Sequence, residues 1–284
     1  MNYALDALWW RLTDPAVRDL AVLLTAPPPW HSGHELPVRS LLGGQGFRCL
    51  LALDAAPQPL YAALHDEAPF GHRLGVYAEA LLAFWLQYAP HCRLYARNLP
   101  FRRADGCTAG AADFIADING VCHHIELTCK YYGGADAAAL CGLNRADTLH
   151  GKAAKLGAQL AQAATPAFQA ALHAAGVPEV AASVSVVRGM LFLPPDTDAV
   201  PPPLNPYAWQ GLWGEDWAAL AAAAGGEQVR YAPIPRMALL APQRLPENQT
   251  LALEALVSEP QGMAAVLQRR PDGHWHEIRR LMKV

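Results

Sequence analysis

Residues 109–130 read AGAADFIADINGVCHHIELTCK. Two strand-like runs flank Asp117-Ile118-Asn119-Gly120, and an Asn-Gly step between apolar runs is a strong hairpin signal. The first run, Ala111 to Ala116, sets a carboxylate, Asp113, among Ala, Phe and Ile. The second, Val121 to Tyr132, carries Glu126, Thr128 and Lys130, which a strand turns to one face because side chains alternate with period two. A hairpin puts Asp113 and Glu126 on adjacent strands. Two carboxylates about 4 Å apart repel by roughly 4 kcal/mol at an effective dielectric near 20. A proton, a lysine or a divalent cation must offset that, and the expectation is a cation, magnesium first, in a phosphodiester-cleaving site.

Around this stretch lie 284 residues, 52% hydrophobic and 17% charged, so a sizeable core is available and global disorder is excluded. The formal net charge of −3 argues against a scaffold that coats nucleic acid with its whole surface, though a nuclease needs only a local basic rim. None of the six cysteines is spaced as CxxC, which disfavours a zinc ribbon and suggests free thiols in a reducing cytoplasm. MNYALDALWW lacks the basic start of a signal peptide. The longest apolar run, Ala78 to Leu86, is far short of the roughly 20 residues that span a bilayer. The expectation is a cytoplasmic protein without a membrane partner.

Apolar periodicity predicts helices at Asn2–Arg11, after the Thr13-Asp14-Pro15 start signal, and at Leu74–Tyr88. Residues 30–60 carry a polar loop and a short element at Arg48–Leu53. A strand at His91–Asn98 precedes the hairpin. A helix capped by Asn144 or Asp147 runs to about Ala164, with Lys152, Lys155 and Gln159 on one face. Ala182–Leu193 is a nearly continuous apolar strand of the interior kind. Six prolines between Pro194 and Pro206 mark a linker or wrapped loop. Beyond it come Trp209, Trp213 and Trp217, an alanine helix to Ala224, a strand at Met237–Ala241, and a hairpin across Pro271-Asp272-Gly273. The chain divides into an N-terminal helical segment packed on the core (1–70), a core (71–195), and a Pro/Trp-rich linker with a C-terminal α+β extension (196–284).

From Leu74 to Leu193 the order is helix, strand, strand, strand, helix, strand, with acids on the second and third strands and on the first helix. That α/β arrangement resembles the PD-(D/E)XK nuclease superfamily, the restriction-endonuclease-like fold. The segments DPAVRDLAVLLTAPP, RLGVYAEALLAFWL, ADFIAD with HIELTCKYY, NRADTLHGKAAKLGAQL, LNPYAWQGLW and IPRMALLAP look like a bacterial family of unknown function within it. The resemblance implies a mixed sheet with flanking helices, metal held by Asp113, Glu126, the Leu127 carbonyl and Glu79, and Lys130 as the catalytic lysine. Two departures stand out. Three residues separate Glu126 from Lys130 where the superfamily has one, so Thr128 sits at the expected lysine position; either the Lys130 side chain folds back or a bulge shortens the span, or Lys152 supplies the cation. An acid expected near Ala111 is missing.

The implied reaction is phosphodiester hydrolysis with Mg2+ or Mn2+ on the carboxylates. Lys152, Lys155 and Gln159, with Arg102 and Arg103 on the loop before Asp113, would contact the nucleic-acid backbone, DNA ahead of RNA. The bland alternatives are a salt-bridged trio of Asp113, Glu126 and Lys130 and a solvated helix face. A different class of function is a catalytically degenerate module that binds nucleic acid or a partner protein, which Thr128 and Ala111 favour.

Overall fold

The computed structural model describes residues 11–102, 106–136, 139–197 and 200–284. The helix expected over Asn2–Arg11 falls, apart from Arg11, outside the described residues, as does Arg103. Among the described residues, five helices come first: α1 (Pro15–Thr25), α2 (Val38–Leu42), α3 (Gly46–Ala55), α4 (Gln58–Glu67) and α5 (Leu74–Tyr88). Then follow β1 (Cys92–Arg102), β2 (Thr108–Ile118), β3 (Val121–Gly133), α6 (Leu149–Ala161), α7 (Pro166–Ala174) and β4 (Ala182–Leu193). The last third holds β5 (Gln210–Gly214), α8 (Trp217–Ala224), β6 (Arg230–Pro233), β7 (Arg244–Leu245), α9 (Leu253–Val257), β8 (Gly262–Arg269) and β9 (Trp275–Lys283).

Helix starts follow local chemistry. Asp14 caps α1 by accepting the Val17 N–H at 3.0 Å, with proline at the first helical position. Thr148 caps α6 through the Gly151 N–H. This corrects the expectation of Asn144 or Asp147. Their side chains are engaged elsewhere: Asn144 with the Ala146 N–H, Asp147 with Lys130 and Tyr132. The helix also stops at Ala161 and continues only as a 3-10 turn to Ala164. The pattern reading missed α7, which Thr165 caps. The element at Arg48–Leu53 is part of α3. The strand expected at Met237–Ala241 is absent; a 3-10 turn at Arg236–Ala238 takes its place. There the Leu239 carbonyl accepts from Tyr131 and Arg280, and the Ala241 carbonyl from Arg280, so side chains do the work of a strand ladder.

The fold is mixed α/β: N-terminal helices, then a nine-stranded mixed sheet with interspersed helices. Strand order is β1-β2-β3-β4-β5-β9-β8-β6, with β7 paired to β9. β1–β2 and β2–β3 are antiparallel; β3–β4, β4–β5 and β5–β9 are parallel; β8 is antiparallel to both β9 and β6. The sheet therefore runs unbroken from the expected core into the residues after Pro194, which enter it as β5 where the tryptophans cluster. Asn119 and Gly120, with φ of 56° and 83°, make the β2–β3 turn. Gly189 lies opposite Lys130 with φ of 135°, and a Cβ there would stand 1.6 Å from the Lys130 carbonyl oxygen.

Alternation along β3 divides the layers. Ile125, Leu127 and Tyr131 join the large core with α1 and α5, while Tyr132 joins Leu149, Leu156 and Leu160 of α6 on the other face. Among the described residues no helix is long and apolar enough to cross a membrane.

Candidate active site

β2 and β3 pair from Ile118–Val121 only as far as Phe114–Ile125. One residue further on, where the strands part, Asp113 and Glu126 face each other. Residues opposed across an antiparallel pair project to the same side. The Asp113 N–H lies 3.5 Å from Glu126 Oε1, at the outer limit of a hydrogen bond. Asp113 Oδ2 accepts the Leu127 N–H at 2.9 Å, replacing the strand partner that β3 has lost. Burial first, and then the Glu126 charge, push the Asp113 carboxyl up to about 7. Glu79 raises it further, while the Leu127 N–H and Lys152 oppose the rise.

Glu126 is 1% exposed. Its Oε1 accepts from His124 Nε2 at 2.8 Å and its Oε2 from Gln159 Nε2 at 2.5 Å. His124 is fully buried against Phe168, and its Nδ1 meets Ser183 Oγ at 3.2 Å. The Gln159 amide must point its nitrogen at the carboxylate. That leaves Gln159 Oε1 buried without a donor.

Past the split, the free edge of β3 borders a cleft of about 490 Å³. Leu127 to Tyr131 form one wall, the start of α5 and Lys152 of α6 two others, and Ile234, Arg236 and Met263 the far side. The split thus lets the two helical layers meet in one cavity.

Of the residues singled out in the sequence, Asp113 and Glu126 are brought together. Leu127 enters through its N–H. Glu79 lines the cleft but leans on Arg97, 3.8 Å away, and burial raises its carboxyl against that arginine's pull. Lys130 is turned to Asp147, whose other oxygen accepts from Tyr132 at 3.0 Å. Lys152 lies close enough to sense both site acids. Burial, Lys155 and Lys130 lower its pKa, and Asp113 and Glu126 raise it. Lys155 is exposed, and Arg102 is exposed at the end of β1. Gln159, expected on substrate, donates to Glu126 Oε2.

A family model described as a domain of unknown function, DUF1853, matches residues 8–284. The chain belongs to the DUF1853 family. No curated protein and no solved structure matches it. Within this DUF1853 domain, sequence reasoning did not connect His124 to Glu126 and missed Ser183. The signal for His124 was available: at two residues before Glu126 it shares that residue's face of β3. Ser183 carried no signal, because only the parallel β3–β4 register sets it opposite His124.

The donor set bears on a cation. Among the described residues no group of three or more His, Cys, Asp or Glu side chains could hold a metal ion. The DUF1853 site offers two carboxylates, Asp113 and Glu126. That set does not suit zinc or a calcium cage. It does fit magnesium, a hard cation that commonly takes one or two carboxylates and completes its shell with water and substrate phosphate oxygens.

Proposed function

We propose that this chain is a magnesium- or manganese-dependent nuclease of the PD-(D/E)XK kind, with residues 71–195 as its restriction-endonuclease-like core. The observation that carries the reading is the opposition of Asp113 and Glu126 at the point where β2 and β3 separate beside a cleft with cationic walls. The run from α5 through β1, β2, β3 and α6 to β4 supports it, with the added helix α7 before the last strand.

Bound at these carboxylates, magnesium would neutralise phosphoryl oxygens and make water a better nucleophile. The chain supplies the rest. Asp113 and Glu126 provide the negative charge, and His124 and Gln159 hold Glu126 in one orientation. Lys152 takes the role of the superfamily lysine, because Lys130 is committed to Asp147 and Thr128 cannot carry charge. Arg73 and Arg236, at the cleft, are placed to meet phosphate.

Purified protein is expected to cleave DNA or RNA in Mg2+ or Mn2+, and Asp113→Ala and Glu126→Ala to abolish cleavage. No turnover with any metal or substrate, together with no calorimetric heat on metal addition, ends this reading. A second reading follows from the Glu126 carboxylate, whose two oxygens are both already hydrogen-bonded within the protein. It makes the chain a degenerate member that binds nucleic acid, or a partner protein, without cutting. A salt-dependent gel shift retained in Asp113→Ala without any cleavage by the unaltered protein favours that reading.

A further inference from the structure

We infer, resting on the nuclease reading above, that the cleft receives one unpaired nucleotide at a time, so that the substrate is a single strand or a frayed end of nucleic acid and not intact duplex. Three observations carry this.

The first is size. The cleft holds about 490 Å³, within the ≈ 300–1,000 Å³ range of small-ligand pockets. A sphere of that volume is about 10 Å across, narrower than even the ≈ 12 Å major groove of B-form DNA.

The second is depth. Glu126 is 1% exposed, and Asp113 is partly buried beside it. A phosphate on the outside of a stacked duplex stays at the protein surface. A phosphate next to a base that has left the stack can enter the cleft, where Leu127 and Lys152, which adjoin the two acids, form part of the lining.

The third is the chemistry of the walls. Cations come from separate elements: Arg73 before α5, Lys152 on α6 and Arg236 in the C-terminal third. The lining also holds Leu143, which is 42% exposed, the largely buried Ile234 and Met263, and the acids Glu79 and Asp147. A cationic side joined to an apolar side matches a nucleotide, whose phosphate is charged and whose base has apolar faces. A paired, stacked base hides those faces; an unpaired one presents them. The residues after Pro194 thereby gain a role. Ile234, Arg236 and Met263 supply part of the cleft's lining.

The test uses the full chain carrying Asp113→Asn, so that bound nucleic acid survives. Fluorescence anisotropy in Mg2+ compares a labelled 12-nucleotide DNA strand, its blunt duplex, and that duplex with a three-nucleotide overhang. The single strand and the overhang are expected to bind about 10-fold or more tightly than the blunt duplex, a difference of about 1.4 kcal/mol. Arg236→Ala is expected to weaken single-strand binding about 5- to 10-fold with an unchanged melting temperature, since its side chain is exposed. A blunt duplex bound as well as the single strand, and cut as fast by the unaltered protein, overturns the inference and leaves the nuclease reading standing. No binding of any of the three, with no cleavage by the unaltered protein, removes both.

Discussion

His124 and Glu126, two residues apart on β3, are joined by a 2.8 Å hydrogen bond from Nε2 to Oε1, with His124 fully buried and Glu126 1% exposed. A carboxylate buried this deeply is retained only when its lone pairs are answered. His124 answers one oxygen and Gln159 the other. The clamp sets the direction of the charge that Asp113 must face.

Loosening the clamp is therefore expected to act on metal binding before it acts on anything else. Gln159→Leu and His124→Gln should each lower Mn2+ affinity about 10- to 100-fold, the usual effect of removing the group that orients a ligand. Calorimetric titration reads this. His124→Ala, which also leaves a cavity, should cost about 2–4 kcal/mol of stability in urea melts. Unchanged Mn2+ affinity in Gln159→Leu would show that the contact is structural only.

Asp113 makes the stability of the metal-free chain depend on pH. Its folded-state pKa, about 7, stands above the ordinary carboxylate value of 3.8. Between those values the native state holds a proton that the unfolded chain has released, so this group's stabilising contribution is complete below about pH 4 and is lost as pH rises through 7. Asp19, pushed up to about 6 by burial, adds a loss in the same direction. Melts in EDTA are expected to show falling stability from pH 5 to 8. Asp113→Asn should flatten that slope and stabilise the metal-free chain at pH 8 by about 1–3 kcal/mol. Mg2+ should raise the melting temperature of the unaltered chain at pH 8 but not that of Asp113→Asn. A variant no more stable than its parent at pH 8 contradicts the assignment.

The two lysines should separate cleanly. Lys152→Ala is expected to slow single-turnover cleavage at least about 100-fold, as removal of a group that stabilises transition-state charge does. Lys130→Met breaks a half-exposed ion pair with Asp147. It should cost at most about 1 kcal/mol of stability and change the rate by less than about 5-fold. Reversal of that order would return the catalytic role to Lys130.

Gly189 has no room for a side chain. A methyl group there would overlap the Lys130 carbonyl, and the φ of 135° is strained for any other residue. Gly189→Ala is expected to destabilise the fold by at least about 3 kcal/mol, pulling β4 away from β3. Urea unfolding and the yield of soluble protein would measure it. A near-normal midpoint would mean that the β3–β4 register shifts freely.

The hairpin was legible because its signals are local. Asn119-Gly120 sets the turn, the turn sets the register, and the register puts Asp113 opposite Glu126 whatever the rest of the chain does. The stripes of α1, α5 and α6 were legible for the same reason. What could not be read was anything decided by a partner far away in the chain. Met237–Ala241 looks like a strand until Tyr131 and Arg280 take its carbonyls. Asp147 looks like a helix cap until Lys130 and Tyr132 claim its oxygens.

The amino-acid order alone therefore determined which carboxylates meet, since period-two alternation and a two-residue turn are properties of the backbone. Only the tertiary structure decided what those carboxylates then experience. Gln159 and Lys152 reach them because α6 crosses back over β3. The cleft borders the part of β3 that β2 does not pair, since β2 joins β3 only from Phe114 onward, and its far wall comes from a segment more than 100 residues downstream.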